Sequence, residues 1–117
     1  MNIRGLHNEA MRLAALADFQ KIRKSKDNAM SLYERSYELE REAAMNARND
    51  NVGEPSVSIL LRSAASLAMN CMKFGEAKEL IDWALDGKPP LEIAEELKIL
   101  LENINSCRPL EVKNAKA

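Results

Sequence analysis

Aromatic residues are scarce in this 117-residue chain, only 4% of it. Sheet cores draw on aromatic and β-branched side chains, and no stretch keeps the period-two alternation of a half-buried strand, so the sequence argues against a β fold. Glycine and proline number four each. They gather near the ends of apolar periods, which leaves long stretches free to be helical. The two cysteines, Cys71 and Cys107, lack CxxC spacing and imply neither a disulfide framework nor a metal site; both read as reduced, buried or half-buried thiols. His7 is the single histidine. It has no partner at metal-ligand spacing and reads as an exposed residue in the first turn of a helix. No apolar run near the N-terminus suits a signal sequence, and none approaches the roughly 18 residues of a membrane span, so the expected location is the cytoplasm. Charged residues make up 30% of the chain with a net charge of −1, a balance that provides no field for nucleic acid.

What the chain does have is helical periodicity, most regular between Ser58 and Pro90. Leu60, Leu61, Ala64, Ala65, Leu67, Ala68 and Cys71 fall at the three-and-four spacing that places them on one side of a helix. Lys73, Phe74 and Gly75 interrupt the pattern. A second period follows in Phe74, Ala77, Leu80, Ile81, Ala84 and Leu85. Gly87 is placed to end that helix in the left-handed conformation, with Pro89 and Pro90 unable to continue the ladder. The alanines allow two antiparallel helices to approach closely. This hairpin resembles a tetratricopeptide repeat, a unit of about 34 residues with small residues at the crossing, an aromatic in the turn and a closing proline. Ala65, Phe74, Ala77, Ala84 and Pro89 carry the resemblance; the usual tryptophan and glycine of the first helix are absent, since Leu61 to Ala65 read LRSAA.

Helical spacing also runs from Ile3 to Arg23 through Leu6, Ala10, Leu13, Ala14, Leu16, Ala17 and Ile22. The basic run Lys21, Arg23, Lys24 and Lys26 lies where a helix C-terminus gains from positive charge. Ser25 or Asp27 can cap a second helix, whose buried side is Ala29, Leu32, Tyr33, Ser36, Tyr37, Leu39, Ala43, Ala44 and Ala47. Glu34, Arg35, Glu38, Glu40, Arg41 and Glu42 are assigned to its solvated remainder. Ala17, Ala29 and Ser36 precede Ala65, Ala77 and Ala84 by a constant 48 residues, which suggests a duplicated hairpin with an insertion ending near Asn46 to Gly53. Pro55 suits the start of a third helix and Pro90 the start of a fifth. The fifth carries Ile93, Ala94, Leu97, Leu100, Leu101 and Ile104 on one side and resembles the capping helix of a solenoid. The expected fold is therefore all-α, with about five helices: two antiparallel tetratricopeptide-like hairpins and a C-terminal cap. Residues 1–107 form one domain, and 108–117 a mobile tail.

Chemistry is thinly represented. No Ser-His-Asp or Cys-His set, glycine-rich phosphate loop or ligand cluster is indicated, so neither an enzyme nor a cofactor is expected. If the hairpins stack as the resemblance implies, the first helix of each lines a concave groove. Arg62, Ser66, Met69 and Asn70 would face it from one hairpin, with Met11, Asp18 and Lys21 from the other. Such side chains suit a protein or peptide partner. Met69 and Met72 can alternatively plug the core beside Phe74, and Trp83 sits at the edge of the crossing, against the fifth helix or free for a partner. A short solenoid can also complete its core by pairing as a homodimer, which makes an obligate assembly subunit the second function class. A helical nucleic-acid-associated protein is the third.

Overall fold

The structure, a computed structural model, describes the backbone of residues 2–116 and the side chains of residues 2–107. Five α-helices account for it: α1 (Ile3–Ile22), α2 (Lys26–Asn49), α3 (Ser56–Asn70), α4 (Phe74–Asp86) and α5 (Leu91–Lys116). The α5 backbone continues through 108–116, most of the stretch expected to be a mobile tail, and the side chains there lie outside the described residues. Each helix packs mainly on its neighbour in sequence, and α5 also reaches back to α3. The chain is thus two antiparallel hairpins in succession, α1–α2 and α3–α4, with α5 laid against the second.

Alanine sets the spacing. Among the described residues, eleven of the 25 buried apolar ones are alanine, so backbones approach closely and the larger side chains Leu61, Leu80, Ile81, Leu97 and Ile104 fill what remains. All six residues of the 48-residue echo are buried: Ala17, Ala29 and Ser36 in the first hairpin, Ala65, Ala77 and Ala84 in the second. Ser36 is the polar member, and its hydroxyl donates to the Ala10 carbonyl of α1 at 2.6 Å. The inserted length lies within α2, an uninterrupted helix of 24 residues against 13 in α4. Its far half is tied to α4 by the Arg48 guanidinium, 4.8 Å from the centre of the Trp83 ring. Nearer the middle, the Tyr37 hydroxyl donates to Glu76 at 3.2 Å.

The helix ends depart from the sequence reading in a consistent way. Gly87 is not left-handed: its φ is −77°, and α4 closes with a single Gly87 N–H bond to the Ala84 carbonyl at 3.3 Å. The left-handed positions are instead Lys24, Asn51 and Met72, with φ of 62°, 52° and 59°. Each stands directly after the C-cap residue, two positions past the last helical one, and two bonds close the turn around it. After α3, Met72 N–H bonds Met69 O at 2.9 Å and Lys73 N–H bonds Ala68 O at 2.8 Å. The same pair recurs after α1 (Lys24 to Lys21, Ser25 to Gln20) and after α2 (Asn51 to Arg48, Val52 to Ala47). These are Schellman closures built without glycine. They move the second hairpin's turn to Cys71–Lys73, so Phe74 begins α4, and they turn Met72 out to 67% exposure rather than into the core.

At the other ends, the Asn2 side chain caps α1 by accepting from Gly5 N–H at 2.7 Å. Ser25 occupies the cap position of α2 without a side-chain bond. Cys71 is buried, and burial pushes its thiol pKa up. Cys107 is exposed, since it lies on α5 beyond Ile104, the last buried residue described.

Candidate functional site

Because α2 packs on both α1 and α3, those two helices run parallel along one side of it, and recesses open between their ends. At the C-terminal ends a recess of about 250 Å³ is lined by Lys21, Lys26, Ala29, Met30, Tyr33, Asn70 and Met72. Its wall is largely apolar and its charged groups are two lysines, with Arg23 and Lys24 close by in sequence. The Tyr33 hydroxyl donates to the Asp18 carboxylate. Burial, and then this bond, push the phenol pKa up to about 12. Asp18 is therefore occupied in orienting Tyr33, while among the described residues the ammonium groups of Lys21 and Lys26 have no such partner in the recess. Beside it the outer face of α1 leaves Leu16, Phe19 and Ile22 uncovered, Ile22 at 79% exposure.

The expected groove is divided between two places. Lys21 and Asn70 meet in this recess, with Asp18 behind it. Arg62 and Ser66 lie elsewhere, beside Glu96, Ile99 and Leu100 of α5. There the Arg62 guanidinium donates to Glu96, so it ties α3 to α5 in addition to any role toward a partner. Met69 and Met11 are half-buried and pack on the core. Met30, Tyr33, Lys26 and Met72 belong to the recess but were not among the expected groove residues. The sequence places Tyr33 on the buried side of α2 and Lys26 in the basic run at a helix end, and offers the core only as an alternative for Met72.

A third recess lies at the opposite end of the same helix pair, lined by Ile3, Arg4, His7, Val52, Ser56, Ile59 and Leu60. Here two sequence assignments are corrected. His7 is half-buried rather than exposed, and Glu40 is wholly buried rather than solvated. The His7 Nδ1 stands 2.9 and 2.8 Å from the two carboxylate oxygens of Glu40. The register of α2 explains the burial, because Glu40 follows Ser36 by four residues and precedes Ala43 by three, on the inward face.

Among the described residues no group of three or more His, Cys, Asp and Glu side chains is placed to hold a metal ion, and no helix is long and apolar enough to cross a membrane. No family model matches the chain, and no curated protein or solved structure matches it either. What is established is the class: an all-α protein of five helices.

Proposed function

We propose that this is a tetratricopeptide-like, non-enzymatic interaction module of the cytoplasm that binds a peptide segment of a protein partner. The partner segment carries a bulky apolar residue flanked by acidic ones. The observation that carries the reading is the recess at the C-terminal ends of α1 and α3, with Met30, Tyr33 and Met72 as an apolar floor and Lys21, Lys26 and Asn70 around it. Methionine adapts to different apolar side chains, and two lysines that meet no acidic side chain among the described residues of the recess favour a negatively charged flank. The echo of buried small residues in both hairpins supports the repeat-like assignment.

The test is titration of methyl-labelled protein with acetylated peptides holding one Leu or Phe between Asp and Glu residues. Met30 and Met72 methyl signals are expected to shift saturably, and Lys21→Glu with Lys26→Glu to weaken binding at least tenfold. Equal binding of peptides with basic flanks, or shifts confined to other methionines, sinks the proposal.

The uncovered row Leu16, Phe19 and Ile22 favours a second reading, an assembly subunit whose α1 face meets another chain. Light scattering separates the two, since a monomer at tens of micromolar leaves that reading without support.

A further inference from the structure

The recess at the N-terminal ends of α1 and α3 has a chemistry that the peptide-binding reading does not use. Glu40 is fully buried, and among the described residues the His7 ring is the only side chain hydrogen-bonded to it. With both carboxylate oxygens within 2.9 Å of Nδ1, the ring and the acid are hydrogen-bonded at that nitrogen. This fixes the ring's orientation and leaves Nε2 as its free nitrogen. The ring is part of the recess wall. Around it stand four aliphatic side chains, Ile3, Val52, Ile59 and Leu60, together with Arg4 and Ser56.

We propose that this recess binds a small carboxylic acid with an aliphatic tail, the carboxyl group held by Arg4 and the Nε2 of His7 and the tail lying on Ile3, Val52, Ile59 and Leu60. Three observations converge on that chemistry. Among the described residues the lining holds one permanent cation and no acidic side chain; the buried Glu40 carboxyl lies behind the imidazole and is hydrogen-bonded to it. A carboxyl group suits Nε2 in either state of the ring: protonated, the ring donates to a carboxylate, and neutral, it accepts from a carboxylic acid. The size is that of a small ligand, about 370 Å³, near the lower end of the roughly 300–1,000 Å³ of small-molecule sites. Glu40 acts here as a positioning residue, because it orients the ring and does not reach the ligand.

His7 is the only imidazole in the chain, so its ring proton signals report the site without overlap. Octanoate serves as the probe, added to full-length protein near neutral pH. Saturable shifts of the His7 ring signals are expected, with octanol, which shares the tail but lacks the acid, binding at least tenfold more weakly. Arg4→Gln removes the charged clasp, and Val52→Asp places a negative charge at the exposed edge of the recess. Both substitutions are at exposed positions and leave the fold intact, and each is expected to weaken octanoate about tenfold. A Glu40→Leu protein that remains folded should keep the tail contacts but lose the ring's fixed orientation, shown by displaced His7 ring signals and weaker octanoate binding. Several results overturn the proposal: no ring shift at millimolar octanoate, an equal response to octanol, or binding unchanged in both Arg4→Gln and Val52→Asp. It also fails if a peptide with a C-terminal Ile-Leu shifts the ring while octanoate does not, since that assigns the recess to a chain terminus. Shifts at Met30 and Met72 alone place the acid in the other recess and overturn it as well. The peptide reading stands or falls separately, on those two methionines.

Discussion

Replacing the left-handed residues Lys24 and Met72 by glycine should stabilise the protein, and the size of the gain follows from the backbone. An L side chain in the left-handed region costs roughly 1–2 kcal/mol through the clash of Cβ with the following carbonyl oxygen. Glycine removes that cost but gives back roughly 0.5–1 kcal/mol through the greater freedom of the unfolded chain. Lys24 is exposed and Met72 is 67% exposed, so little packing is lost with either side chain. The net expectation is a gain of about 0.5–1 kcal/mol at each site, about 2–5 °C in Tm for a chain of this length. Asn51 has the same geometry but tolerates it better, so Asn51→Gly should gain less than the other two. Gly53 supplies the converse. Its φ is +95° and a Cβ there would meet nothing within 4 Å, so Gly53→Ala should lose about 1–2 kcal/mol through the backbone alone. Urea unfolding of the four variants, read for midpoint and slope, measures all of this. A neutral or destabilised Lys24→Gly and Met72→Gly at unchanged slope would refute the reasoning, as would a harmless Gly53→Ala.

Two further outcomes follow from the buried polar groups. His7→Ala leaves the Glu40 carboxylate buried without its partner and should cost about 2–3 kcal/mol, below the roughly 3–5 kcal/mol of a fully buried broken pair because His7 is half-exposed; Glu40→Gln should cost less, and chemical denaturation that ranks them in the reverse order contradicts the pairing. Burial first, and then the Asp18 and Glu76 carboxylates, raise the Tyr33 and Tyr37 phenols from 10 to about 12, so folding favours their neutral forms. That contribution is complete below pH 10 and is lost as pH rises toward and through 12. These are the only two tyrosines, so tyrosinate absorbance should stay low near pH 10 in native protein and appear there in urea; a native titration half complete at pH 10 would count against the buried geometry.

The helices and their crossings were legible because they depend on spacing alone. Ala65, Ala77 and Ala84 repeat at helical intervals, and their earlier counterparts could be found by offset. The helix closures were not legible, because the usual signal is glycine and the chain uses lysine, asparagine and methionine there. Glu40 was hidden by its company: it lies in the run Glu38 to Glu42, and residue type outweighed register, although the three- and four-residue intervals to Ala43 and Ser36 already placed it inward. The candidate sites were half legible. Lys21 and Asn70 meet as a stacked pair of hairpins implies, but Arg62 turns to Glu96 on a helix whose reach across α3 no local pattern records. His7 was unreadable as a ligand-facing group, since its significance depends on a carboxylate 33 residues away.

The pattern of packing, each helix chiefly on its neighbour in sequence with α5 reaching back to α3 and two side chains of α2 reaching α4, bears on how the chain finds its fold. Few loops must close over long distances before apolar surface is rewarded, and the low contact order this implies belongs to chains that fold in microseconds to milliseconds. A nucleus can form in either hairpin by local encounter, with α2 as the template on which the other assembles. Kinetic partitioning between those two routes, more than a single obligatory pathway, is the behaviour this architecture favours, and substitutions at Ser36 and at Ala84 should alter folding rates through different routes.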